Sequence, residues 1–127
     1  MVDSLTKLYA SVLEARARDP ASSRTSKLFS NGVAKMAKKL AEEAVEVGLD
    51  AVQKHNDNVV LESVDLLYHL CVIWAECNVT PEDVAAEITR RERLYGAIEK
   101  LPKKQAARMP TDKVAFLRPR RNKAERH

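Results

Sequence analysis

At 127 residues the chain has room for one domain with a real core and not for two. Aromatic residues make up 5% of it and glycine occurs three times, a balance that disfavours a sheet protein and favours helices. The net charge of +4 hides an uneven spread, since residues 103–127 hold nine Lys/Arg against two acids and residues 1–102 carry a net −3. A mildly acidic α-helical domain over 1–102 and a basic tail over 103–127 are therefore expected.

No run of eighteen apolar residues is free of charge, and the N-terminus lacks the basic-then-apolar layout of a secretion signal. A cytoplasmic protein with no membrane partner is the expectation. Cys71 and Cys77 stand six residues apart in one apolar segment, which separates them by about 9 Å along a helix, too far for a disulfide. Both read as reduced core thiols.

The first helix is expected from Ser4 to Arg18, because Leu5, Leu8, Tyr9, Val12 and Leu13 repeat at three-four spacing. Asp19-Pro20 stops it, as proline disfavours helix in the residue before it. Ala21 to Ser26 then reads as a polar, hydroxyl-rich loop. A long second helix is expected from Lys27 or Asn31 to Lys54, with Gly32 and Gly48 weakening it without ending it. His55-Asn56-Asp57-Asn58 reads as a turn, with Asp57 or Asn58 capping the next helix.

The third helix, Val59 to Cys77, is apolar around nearly its whole circumference and should be buried on most sides. Its one polar stripe is Glu62, Asp65, His69 and Glu76. Thr80-Pro81-Glu82-Asp83 opens a fourth helix that should reach Ile98, with a cap, a proline at the first helical position and acids in the first turn. Pro102, Pro110 and the run through Arg118-Pro119-Arg120-Arg121 mark an irregular tail. No strand pattern appears, and the whole reads as an antiparallel four-helix bundle.

Five carboxylates carry the chemistry: Glu42, Glu43 and Glu46 in the pattern E-E-x-x-E, then Glu62 and Asp65 in E-x-x-D. Residues three and four apart share a helix face, so each motif presents converging acids. Brought together, like charges repel and raise one another's pKa unless a cation neutralises them. Oxygen-only ligands suit a hard ion, Mg²⁺ before Mn²⁺ and both before Zn²⁺, and such a site handles phosphate. A solvated face explains many E-E-x-x-E runs, but Glu62 and Asp65 interrupt an apolar helix, where an unpaired charge is costly. The competing explanation for that pair is a buried salt bridge to Lys38, Lys39 or Arg90. His69, on the same stripe, reads as a core or supporting histidine before a ligand. Lys35, Lys38 and Lys39 either pair with the neighbouring glutamates or steady a polyphosphate.

Three segments resemble the phosphoribosyl-ATP pyrophosphohydrolases, members of the all-α nucleotide pyrophosphatase superfamily that also holds the MazG-like enzymes. Ser23 to Phe29 is similar to the family's loop before the long helix. Lys35 to Glu46 resembles its lysine-rich run into E-E-x-x-E, and Glu62 to Leu70 resembles its E-x-x-D motif with D-L-L-Y-H-L. The likeness spans about Leu5 to Lys100. Ala41 stands where glycine is expected, and Arg24 occupies a place usually aromatic.

The resemblance implies Mg²⁺-dependent hydrolysis of 1-(5-phosphoribosyl)-ATP to 1-(5-phosphoribosyl)-AMP and pyrophosphate in histidine biosynthesis. It implies Glu42, Glu43, Glu46, Glu62 and Asp65 as catalytic metal ligands. Substrate would be bound by Lys27, Lys35, Lys38 and Lys39 with Ser23, Arg24, Thr25 and Ser26. It also implies a dimer with sites near the subunit interface, and a helix apolar on all sides independently asks for more cover than a small monomer supplies. The nearest alternative is a house-cleaning nucleoside triphosphate pyrophosphatase, kept open by Arg24 and the basic tail. A more distant one is binding of nucleic acid or an acidic partner through the tail, disfavoured because only Phe116 is interleaved with its cations.

Overall fold

The computed structural model describes residues 2–96, and the basic tail over 103–127 lies outside them. The described residues are helical, with no strand among them. Five helices follow one another: α1 Val2–Arg16, α2 Arg24–Ser30, α3 Val33–Val52, α4 Asn56–Glu76 and α5 Pro81–Tyr95. Residues up to Ala85 belong to one compact unit and those from Ala86 to a second, so the division falls inside α5.

Four of the five residues of the apolar stripe of α1 turn inward as their spacing requires, and Leu13 is exposed. Tyr9 and Val12 are buried, and Leu5 and Leu8 pack partly covered beside them. The helix ends at Arg16, two residues before the expected Arg18, and Asp19 turns the chain by accepting from the Ala21 amide at 3.1 Å. Arg16 secures this end. It donates to the Ala75 carbonyl at 3.2 Å, lies 3.7 Å from Glu76, and stacks over Phe29 at 4.5 Å.

The expected loop over Ala21–Ser26 is corrected in its second half. Ser23 caps a short helix instead, its hydroxyl accepting from the Ser26 amide at 3.1 Å. The expected continuity across Gly32 is also corrected. Gly32 sits at φ 98°, a left-handed conformation that costs glycine little, and it separates α2 from α3. Gly48 stays inside α3, as expected.

A three-residue turn joins α3 to α4 and makes them an antiparallel hairpin, the most extensive packing in the chain. Lys54 takes φ 62° there, and the His55 amide donates to the Asp50 carbonyl at 2.9 Å. Because His55 precedes the first helical residue, Asp57 and Asn58 lie inside the first turn of α4 and are not its caps.

The core consists of Tyr9, Val12, Leu28, Met36, Cys71, Val72 and Ala75, so only the C-terminal half of α4 is enclosed. The expectation of a helix buried on most sides fails for the other half, where Val60, Leu61 and Val64 are exposed. On α3, Val45, Leu49 and Val52 are exposed as well. Cys71 is a buried thiol as expected, but Cys77 ends α4 and is exposed.

Thr80 and Asp83 cap α5 reciprocally, each side chain accepting from the other's amide, at 3.1 and 2.9 Å. The described helix ends at Tyr95, and the expected end at Ile98 lies outside the described residues. Within the second unit, Glu87 accepts from Arg90 at 3.0 and 2.9 Å and from Arg91 at 2.9 Å. Arg90 and then Arg91 hold its carboxyl down to about 2.

Candidate active site

The hairpin of α3 and α4 brings the two acidic motifs together. Glu43 from α3 and Glu62 and Asp65 from α4 each offer an oxygen within 4.8 Å of the other two. These are the inward positions of E-E-x-x-E and E-x-x-D, selected by the three-four geometry of facing helices. All three are half-buried. One oxygen of Glu43 and one of Glu62 are buried without any hydrogen-bond partner.

Two buried carboxylate oxygens facing each other without a donor are unfavourable as they stand. Glu62 records this: it is pushed up to about 7, first by the carboxyl of Glu43, then by that of Glu46, then by burial. Glu46 is exposed and reaches the cluster from its edge. Glu42 is also exposed but turns toward Lys39, 3.9 Å away. Thus the structure gathers three of the five acids at one point, with Glu46 beside them and Glu42 at the rim. Of the cations weighed for a buried ion pair with Glu62 and Asp65, Lys39 lies 3.9 Å from Glu42.

The donor set fits a divalent cation. It is all oxygen, and one buried oxygen each of Glu43 and Glu62 has no hydrogen-bond donor, so a cation suits it. An acidic cluster of this make-up can hold a metal ion.

Behind the cluster sits His69, 2% exposed, with a buried Nδ1 that has no partner. Burial pushes its imidazole below the usual range; the charge of Glu43 opposes that, while Arg24 and Lys39 reinforce it. The ring is neutral around pH 7 and packs edge-on to Tyr68 at 4.8 Å between centroids.

Tyr68 is the residue that the sequence reading left without a role, although it stands in the D-L-L-Y-H-L run. Its hydroxyl shares a 2.6 Å hydrogen bond with Thr25, and its ring carries the guanidinium of Arg24 at 5.2 Å. It therefore fixes the start of α2 against α4, one helical turn beyond Asp65.

The hydroxyls near α2 are largely engaged. Ser23 donates to the Ala15 carbonyl at 3.3 Å, and Ser26 donates to the carbonyl of Arg18. Beside them opens a cavity of about 550 Å³ lined by Ser22, Ser23, Arg24, Lys27, Ser30 and Asn31. Lys35 and Lys38 lie exposed on α3, away from this lining.

Fold and site define the class, an all-α protein that brings carboxylates from two helices to one point where a metal ion could be held. Residues 5–92 match the family model described as phosphoribosyl-ATP pyrophosphohydrolase. The chain belongs to that family, and the matched span contains every acid of the cluster. It is 57% identical over 122 residues to phosphoribosyl-ATP pyrophosphatase 2 of Bradyrhizobium diazoefficiens, covering 94% of this chain and 90% of that protein. It is 56% identical over 119 residues to the protein of the same name in Rhodopseudomonas palustris, with the same coverage. The phosphoribosyl-ATP pyrophosphatase of Rhodospirillum rubrum is 44% identical over 105 residues, 83% of this chain and 87% of the relative.

Proposed function

We propose that this chain hydrolyses 1-(5-phosphoribosyl)-ATP to 1-(5-phosphoribosyl)-AMP and pyrophosphate, a step of histidine biosynthesis, in the cytoplasm. The observation that carries the reading is the meeting of Glu43, Glu62 and Asp65, with two orphaned oxygens, inside a span that matches the family.

In this reading Glu43, Glu62 and Asp65 would hold Mg²⁺, or Mn²⁺ in its place, with Glu42 and Glu46 completing its surroundings directly or through water. When bound, the ion supplies Lewis-acid polarisation of phosphate oxygens and acidification of water. Glu46, exposed at the edge of the cluster, is the carboxylate free to take the proton of the attacking water. Lys39 at the rim, with Lys35 and Lys38 on the same helix, balances the charge of the triphosphate. His69, neutral and buried, braces the acids from behind without adding charge.

The proposed assembly is a homodimer. Val60, Leu61 and Val64 on α4, with Val45, Leu49 and Val52 on α3, expose more apolar surface than a solitary helical hairpin tolerates well, and a second copy would cover it.

The deciding experiment measures pyrophosphate release from phosphoribosyl-ATP, with and without Mg²⁺, beside a panel of ordinary nucleoside triphosphates. Metal-dependent release from phosphoribosyl-ATP in clear preference to the panel is expected. Preference for the ordinary triphosphates would replace this reading with a house-cleaning pyrophosphatase.

A further inference from the structure

The cavity beside α2 differs in chemistry from the carboxylate cluster. No carboxylate lines it, so it has no ligands for a divalent ion. Its charged groups are the cations of Arg24 and Lys27. The Ser22 and Ser30 hydroxyls already donate to the carbonyls of Asp19 and Lys27, at 3.1 and 2.8 Å. The donors available to a ligand are therefore the guanidinium, the ammonium and the Asn31 amide.

Arg24 is exposed but not adrift. Its guanidinium rests on the Tyr68 ring, and Tyr68 is itself held by Thr25. A planar cation fixed in this way is pre-organised for the forked recognition of phosphate oxygens. Tyr68 stands three residues after Asp65, about 4.5 Å further along α4. Arg24 is thus the link between the cavity that it lines and the helix that carries the acids.

We propose that this cavity is a subsite for the 5-phosphate monoester on the ribose that phosphoribosyl-ATP carries in addition to its triphosphate, and that Arg24, with Lys27, selects for it. The inference rests on the proposed substrate. It assigns the substrate's two anionic ends by charge balance. The triphosphate travels with a divalent ion and belongs where carboxylates can share that ion. The monoester, close to a dianion at pH 7, arrives without one and belongs where protein cations alone neutralise it. At 550 Å³ the cavity has room for a pentose phosphate and its water.

The test titrates ribose 5-phosphate into the full chain and into Arg24→Ala, Arg24→Lys and Lys27→Ala, reading amide NMR shifts and competitive inhibition. Steady-state kinetics with phosphoribosyl-ATP run in parallel. The expected result is binding by the wild type, weakened about tenfold or more in Arg24→Ala and partly restored in Arg24→Lys. KM for phosphoribosyl-ATP should rise by a similar factor while kcat stays within about twofold. Equal binding of ribose 5-phosphate by wild type and Arg24→Ala would overturn the subsite. So would variants that lose inhibition by inorganic tripolyphosphate and keep that by ribose 5-phosphate, since the cavity would then serve the triphosphate. If the wild type does not turn over phosphoribosyl-ATP, the proposed function falls, and the titration alone still decides whether the cavity takes a pentose phosphate.

Discussion

Along α4, the stretch from Val59 to Leu66 and the stretch from Leu67 to Glu76 are both rich in apolar residues, yet their surroundings are opposite. Cys71, Val72 and Ala75 are buried in the core with residues of α1, α2 and α3, whereas Val60, Leu61 and Val64 are exposed. Both acids of E-x-x-D fall in the open half. An apolar circumference records how much cover a helix needs, and topology decides where within the chain that cover is supplied. The enclosed half anchors the helix, and the open half leaves Glu62 and Asp65 accessible to an ion and a nucleotide.

The sharpest way to separate the halves is to remove an acid from the open one. Asp65→Ala or Glu62→Ala should cut metal-dependent pyrophosphate release by roughly a hundred- to a thousandfold, through lost stabilisation of transition-state charge. The helical circular dichroism should be unchanged. Retained turnover in both variants would remove the acids from the mechanism.

The enclosed half should answer in stability. Met36→Ala, at a side chain 1% exposed against α4, should cost about 2–5 kcal/mol in urea unfolding. Turnover per folded molecule should hardly change. A cost well under 1 kcal/mol would mean that this half is not the anchor.

Acidity offers a subtler contrast. Glu62 titrates near 4.5 when unfolded and about 7 when folded, so the metal-free fold binds its proton more tightly than the unfolded chain does. The associated stability is present below about pH 4.5 and is lost as pH rises through 7. Glu62→Gln should flatten that slope. Mg²⁺ should offset it, because the ion favours the ionised acid. A metal-free protein whose urea midpoint rises steadily over this range would contradict the crowding of the cluster.

The smallest effect on the isolated fold belongs to the exposed apolar residues. Leu61→Lys should change monomer stability by no more than about 0.5 kcal/mol, as surface substitutions do. Light scattering, by contrast, should show its mass falling toward that of one chain. An unchanged mass for both proteins, whether one chain or two, would refute a second copy covering this face.

Much of this was legible in the sequence. The stripe of α1, the Asp19-Pro20 stop, the Thr80–Asp83 cap and both acidic motifs follow from spacing and local chemistry, which act over four residues or fewer. What escaped depends on longer range or on backbone dihedrals. The Ser23-capped helix was concealed because hydroxyl-rich segments serve caps and loops alike. The break at Gly32 is a φ value, and glycine permits that value without announcing it. Cys77 reads as core because its neighbours are apolar, but it falls where α4 ends. The role of Tyr68 was invisible because it arises only when Thr25 and Arg24 are folded onto α4. Within the acidic motifs, spacing identified five carboxylates, and only the packing of α3 on α4 distinguishes Glu43, Glu62 and Asp65 from Glu42.

The joint at Gly32 has a consequence for how such a protein diversifies. A side-chain carbon added there would meet nothing within 4 Å, so what bars other residues is the φ of 98° and not a lack of room. α2 itself is held by Leu28 in the core and by Thr25 on Tyr68, whereas the exposed Arg24 can be exchanged without disturbing the helical phase that aims Glu43 at Glu62. On the proposed assignment, ligand preference and ion chemistry lie on different helices, so a descendant of this chain could acquire a new sugar or base while keeping the same hydrolytic centre.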